Sequence, residues 1–169
     1  MADAKVSDGT QLTDMPLTSK LYVDDAGVDK YVEFEDLTKT GTFTPTIGDG
    51  TNDYTTTIAD GFYTRAGKLV NVSINITWSS IGSAGATVLR IDDLPYTTRT
   101  TANYRASGCI AYASGLDNGG GKQIATWMIN NQNYIRFYLL NDNAAASELL
   151  ANANSSSGSI QMSITYEAA

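Results

Sequence analysis

The chain of 169 residues contains no histidine, so the commonest general base and the commonest metal ligand are both missing. Its one cysteine, Cys109, has no imidazole to take up its proton, which argues against a thiol nucleophile, and no intrachain disulfide can form. Within Ala106-Ser107-Gly108-Cys109-Ile110-Ala111-Tyr112 it reads as a small buried hydrophobe on a strand. Carboxylates alone can hydrolyse a glycosidic bond, but two must face each other. Asp92 and Asp93 are adjacent, point to opposite sides of an extended chain, and read as a turn before Leu94-Pro95. Asp24, Asp25 and Asp29 surround Gly27. They are the best candidates for a cation site, although their spacing is not that of a helix-loop-helix calcium loop and a solvated hairpin face explains them more simply. Gly119-Gly120-Gly121-Lys122 has the spacing of neither a phosphate-binding loop nor a dinucleotide fingerprint, and no Gly-x-Ser-x-Gly elbow occurs. No catalytic residue, cofactor or zinc site follows from these residues, and the chain is read as a non-enzyme.

Aromatic side chains are the remaining chemical resource. Ten Tyr and two Trp accompany a charged fraction of only 17%. Such rings stack on sugars and anchor protein interfaces. Trp78 shares the apolar parity of its strand and reads as core. Trp127, with Gln123, Ala125 and Ile129 on its parity, faces either a second sheet or another subunit. Tyr54, Tyr96, Tyr104 and Tyr112 are candidate surface anchors.

The elements that position these groups are strands. Val70, Val72, Ile74, Ile76 and Trp78 alternate with Asn71, Ser73, Asn75 and Thr77, which predicts one long strand with a dry and a polar face. Asn71 and Asn75 open Asn-x-Ser/Thr triplets that read as strand polar positions. Ile160, Met162, Ile164 and Tyr166 repeat the alternation in the last strand. Further strands are expected at Asp53 to Ile58, Phe62 to Arg65, Thr87 to Leu94, Arg105 to Ser114, Gln123 to Ile129 and Tyr134 to Leu140. Asn141 to Gly158 reads as a long loop in which Ala144 to Ala151 forms a short helix. Eight to ten strands separated by turn residues predict an all-β, antiparallel, jelly-roll-like β-sandwich.

Composition divides the chain. Residues 1–40 hold nine of the 18 acidic residues and form an arm followed by a hairpin, with strands at Lys20 to Val23 and Lys30 to Phe34. Residues 41–169 are rich in Gly, Thr, Asn and Ser and form the head. A lone hairpin is marginal in water and needs a neighbour. Net charge is −7 with scattered cations, which excludes a nucleic-acid footprint and disfavours anionic membranes. Met1-Ala2-Asp3-Ala4-Lys5 lacks the apolar segment of a secretory signal, and no run approaches the ~20 apolar residues of a membrane span. Folding in a cytoplasm is therefore expected, with any later exposure outside a cell by another route.

In order along the chain, Gly41-Thr42-Phe43-Thr44-Pro45-Thr46-Ile47, Tyr54, Gly61-Phe62-Tyr63-Thr64-Arg65-Ala66-Gly67-Lys68-Leu69-Val70 and Leu94-Pro95 resemble a module recurrent in tailed-bacteriophage fibre and spike proteins. The upstream hairpin is similar to short collar motifs near the attachment end of such fibres. The resemblance implies a virion protein, assembled in the host cytoplasm and displayed on the particle as a homotrimer. Its head would bind a host surface glycan or protein. Attachment to other virion proteins and trimerisation would fall to Leu21, Tyr22, Val23, Tyr31, Val32, Phe34 and Leu37, and receptor contact to the loop residues Tyr96, Tyr104 and Asn118. A capsid-decoration or head-fibre protein without a specific receptor is the alternative; a polysaccharide-degrading spike and a cellular lectin rank behind it.

Overall fold

The alternation of residues 69–80 becomes a twelve-residue strand whose inward positions are sealed: Val70, Val72 and Ile76 have no exposed surface and Trp78 is 1% exposed. In the computed structural model, residues 20–25, 28–33, 38–141 and 144–169 are described, with side chains from residue 38 onward. The strands are β1 (Lys20–Asp25), β2 (Val28–Glu33), β3 (Thr38–Phe43), β4 (Thr46–Gly48), β5 (Thr55–Ala66), β6 (Leu69–Ser80), β7 (Arg90–Asp92), β8 (Arg105–Ala106), β9 (Gly108–Ser114), β10 (Gln123–Ile129), β11 (Ile135–Leu140), β12 (Ser147–Glu148) and β13 (Gly158–Glu167).

Two compact units result, Met1–Lys39 and Thr40–Ala169. In the first, β1 and β2 pair antiparallel, with Leu21 opposite Val32, Tyr22 opposite Tyr31 and Val23 opposite Lys30. Asp24 and Asp25 extend β1, opposite Asp29 and Val28. Phe34 and Leu37 lie outside the described residues, as do the side chains of the expected cation cluster.

The second unit is an all-β, antiparallel sandwich. One sheet has the order β3-β5-β6-β13-β9; the other runs β4-β7-β11-β10-β8, with β12 also on β11. Each turns its apolar parity inward. Ile160, Met162, Ile164 and Tyr166 of β13 join the β6 row, and Ile47, Ile91, Met128, Ile135 and Phe137 come from the other sheet. Each such large apolar side chain stabilises the fold by about 1.5–3 kcal/mol.

The phage-like residue pattern acquires a packing role at β3–β5. A side chain on Gly41 would strike the Tyr63 ring, and one on Gly61 would strike the Phe43 ring. Each glycine makes room for the aromatic of the other strand, so the Gly-x-Phe and Gly-Phe-Tyr spacings are complementary.

Several expectations are corrected. The segments Asp53 to Ile58 and Phe62 to Arg65 are one strand, because Ala59, Asp60 and Gly61 keep pairing with Ile76, Asn75 and Ile74. Arg105 to Ser114 breaks at Ser107: β8 pairs with β10 in one sheet and β9 with β13 in the other. Cys109 is exposed, not buried. It sits opposite the outward Ser163, and the register slip at Gln161/Met162 lets Ile110 face Met162 instead. Tyr54 is core, 4% exposed, its hydroxyl donating to the Ala151 carbonyl. Ala144 to Ala151 is not a helix; Ser147–Glu148 adds to β11, Val88 bridges Leu150, and a 3-10 turn covers Ala151–Ala153. Leu149 is 1% exposed and its burial fixes this extended path.

A buried polar group pins that path. Asn154 Nδ2 donates to the Tyr54 hydroxyl (2.9 Å) and to the carbonyls of Leu150 (3.1 Å) and Ala151 (3.2 Å). Trp78 Nε1 donates to the Ser155 carbonyl at 3.1 Å. Nearby, the Asp49 carboxylate accepts from the Asn52 and Gly85 backbone (2.6 Å each), the Asn52 amide (3.1 Å) and the Thr51 N–H (2.7 Å). These donors hold its carboxyl well below the usual carboxylate range.

Gly158→Ala drives a methyl into the Trp78 ring and the Ser114 carbonyl. It should cost about 1–3 kcal/mol, and thermal melting should show the midpoint several degrees lower. Asp49 is depressed in the folded state, so its contribution is present above about pH 4 and is lost as pH falls. Asp49→Asn should thus flatten the fall in urea midpoint between pH 6 and about pH 3 relative to wild type; an unchanged slope would refute the assignment.

Candidate functional site: an arginine–aromatic strip

In β11 and the residue before it, Tyr134, Arg136 and Tyr138 alternate with the buried Ile135, Phe137 and Leu139. Since Ile135, Phe137 and Leu139 fill the core, the other three must stand on the outer face of their sheet. Cross-strand pairing adds neighbours. Trp127 on β10 and Arg90 on β7 both lie directly opposite Arg136. Trp127 therefore faces away from the second sheet, while Thr126 and Met128 face inward.

The rings and guanidinium groups form one connected strip. Trp127 and Tyr138 stack at 4.4 Å with planes 31° apart. Arg90 lies over the Tyr134 ring at 4.5 Å and Arg136 at 5.3 Å. Arg136 Nη2 donates to the Tyr134 hydroxyl at 2.8 Å. Its Nε is buried without a hydrogen-bond partner. Partial burial opposes the Arg136 charge, but the Tyr134 and Tyr138 hydroxyls outweigh it and hold its pKa above the ordinary arginine value. Arg90 is paired with Asp92 at 2.8 Å. Burial pushes the Asp92 carboxyl up, and Arg90 only partly pulls it back.

Rings and guanidinium groups in this arrangement have the chemistry for stacking and for donating hydrogen bonds. Three other carboxylates of the head have partners of their own: Asp93 accepts from Thr46, Asp117 from the Gly119 N–H, and Glu167 pairs with Arg99. Among the described residues no three His, Cys, Asp or Glu side chains converge as metal ligands.

Tyr96 and Tyr104 come together at one end of the sandwich, where both grip β13. The Tyr166 hydroxyl donates to the Tyr96 carbonyl (2.9 Å), and the Glu167 N–H donates to the Tyr104 hydroxyl (2.7 Å). Arg65 covers the Tyr96 ring at 4.4 Å, and Arg99 the Tyr104 ring at 5.7 Å. Asn118 is at the other end of β10, capping the glycine turn: its Oδ1 accepts from Gly121 and its backbone carbonyl from Lys122. Thus the three expected contact residues do not share one site. The loops around Ser80, Leu116 and Asn154 do meet, through the Gly85–Asn152 and Asp117–Asn154 hydrogen bonds. Sequence reading overlooked Tyr134, Arg136, Tyr138 and Arg90. The signal was available in the alternation of residues 134–139, where polar and aromatic residues share the parity opposite the core.

No protein-family model matches the chain, and neither does a curated protein sequence. Among solved structures, the crystal structure of the Dettilon tailspike protein has a similar fold, with a TM-score of 0.62 at 22% identity. The likeness covers 79% of this chain but only 24% of the tailspike chain, so this protein matches about a quarter of that molecule.

Proposed function

We propose that the protein is a non-enzymatic structural component of a tailed-phage virion, a fibre- or spike-type head that binds a host surface glycan. The observation that carries the proposal is the likeness of its two-sheet head to part of a phage tailspike. Residues 1–40 attach the protein to the particle, and residues 41–169 form the exposed head. Three copies associate, which shelters a hairpin too small to stand alone. The glycan lies along the strip on the outer face of β10, β11 and β7. There Trp127 and Tyr138 offer flat apolar surface to a sugar ring, with the guanidinium group of Arg136 beside them. Beside the strip, Asp92 is tied to Arg90 and Asp93 to Thr46, while the exposed Glu148 stands opposite Tyr138, so an assay for cleavage belongs with the assay for binding.

The test is binding of the purified full chain to immobilised bacterial surface polysaccharides, with reducing ends assayed in parallel. The expected result is saturable binding with no new reducing ends. Trp127→Ala should weaken it roughly tenfold or more, as truncation of a central aromatic anchor does. Release of reducing ends would replace the reading with a depolymerase. Binding to virions but to no polysaccharide would replace it with capsid decoration.

A further inference from the structure

The two arginines of the strip stand in different surroundings. Among the described residues, Arg136 has no carboxylate partner, whereas Arg90 is paired with Asp92. The side chains of Arg90 and Asp92 are only 26% and 17% exposed. Four contacts fasten Arg90. Its Nε donates to Asp92 Oδ2 at 2.8 Å, and its Nη2 donates to the Gly50 carbonyl at 3.1 Å. Its guanidinium lies over the Tyr134 ring, 4.5 Å from the centroid. The fourth contact is with Gly50 itself. A Cβ at that position would overlap the guanidinium, so the arginine rests directly on the glycine backbone. Gly50 also has φ +87°, which glycine adopts without strain. The loop that carries it, residues 49–53, is tied down. The Asp49 carboxylate gathers the N–H groups of Thr51, Asn52 and Gly85, and the Thr87 hydroxyl donates to the Asp49 carbonyl at 3.2 Å.

We infer that Arg90 is a positioning residue for the strip, and that the loop of residues 49–53 is the seat through which it acts. The inference deepens the reading of the strip as the ligand site and rests on it. Arg90 directs its hydrogen bonds to Asp92 and Gly50, not to a ligand. Its work is to hold the Tyr134 ring. A planar guanidinium lying over a ring restrains the tilt of the ring as well as its place. The Tyr134 hydroxyl is thereby fixed, and it accepts from Arg136 Nη2 at 2.8 Å. Arg136 stands directly opposite Trp127, and Trp127 stacks on Tyr138. Support therefore runs from the loop to Arg90, then to Tyr134, Arg136 and the two stacked rings. A binding surface whose outer groups are braced in this way keeps one geometry before the ligand arrives. The bracing needs an arginine at position 90. A lysine could pair with Asp92, but it has no planar fork to bond Gly50 and cover Tyr134 at the same time. It also needs a glycine at position 50, because a side chain there would occupy the place of the guanidinium.

The experiment follows the arginine Nε–H signals of the full chain by two-dimensional nitrogen–proton NMR in wild type, Arg90→Lys, Gly50→Ala and Gly67→Ala. The Arg136 signal is identified by its loss in Arg136→Lys. Arg136 Nε is buried, so its proton should exchange slowly with water in the wild type. Gly50→Ala displaces the far end of a flexible side chain, not backbone, and the backbone amide signals of the same spectra should show it folded. Gly67 also has a positive φ, +57°, but open space around it, so Gly67→Ala carries backbone strain without touching Arg90. The expected result is an Arg136 signal that shifts and exchanges at least roughly tenfold faster in Arg90→Lys and Gly50→Ala, and that stays in place in Gly67→Ala. The same two variants should bind the polysaccharide held by the wild type roughly tenfold less tightly. An Arg136 signal unmoved in both variants overturns the inference, as does one that moves equally in Gly67→Ala. Full-strength polysaccharide binding by Gly50→Ala with a displaced Arg136 overturns the part of the seat in binding. A wild type that binds no polysaccharide, with Arg136 responding as expected, removes the glycan reading and leaves the positioning of the strip standing.

Discussion

The pairing of β6 with β13 is the constraint on which the head depends. Ten successive residue pairs run from Leu69 opposite Glu167 to Trp78 opposite Gly158. Because side chains alternate, this one register sends Val70, Val72, Ile74, Ile76 and Trp78 inward beside Ile160, Met162, Ile164 and Tyr166. A slip of one residue would expose all nine and bury serine, threonine and asparagine in their place. The narrow spot at Gly158, between the Trp78 ring and the Ser114 carbonyl, helps to lock the register. Everything else is laid against this ladder: β5 and β9 continue it sideways, and the second sheet covers its apolar side.

The two outer faces of the sandwich have diverged in chemistry while sharing that core. One displays guanidinium groups and rings tied to one another by stacking and hydrogen bonds. The other is a plain of hydroxyls and amides with a few exposed hydrophobes. In a β-sandwich the outward parity is nearly free of folding constraint, so each sheet can be specialised without disturbing the interior.

Much of this was legible in the sequence, for physical reasons that differ by element. β6 and β13 declare themselves because strict alternation over ten residues has no other reading. The hidden features are those decided by distant partners. Cys109 faces outward opposite Ser163, in the register set by an extra residue, Ala111, bulged on β9, and nothing around residue 109 signals it. Tyr54 looks like a surface tyrosine until the Ala151 carbonyl and the Asn154 amide supply its buried partners. Residues 144–151 have alanine-rich helical propensity, but burial of Leu149 and pairing with β11 override it. The strip was readable in part: the parity of Tyr134, Arg136 and Tyr138 could be counted, but the placing of Arg90 and Trp127 on either side of Arg136 needed the strand order.

The position of β13 has a consequence for how the molecule is made. It follows every other strand of the head in the chain, yet lies inside its sheet between β6 and β9. A ribosome therefore delivers the apolar sides of β5, β6, β10 and β11 before the piece that joins β6 to β9 exists. The nascent head carries an open seam until that final stretch emerges. Closure then requires contacts between residues some ninety positions apart, which makes folding slow and all-or-none. Until closure the β6 edge is bare and prone to pairing with the wrong strand.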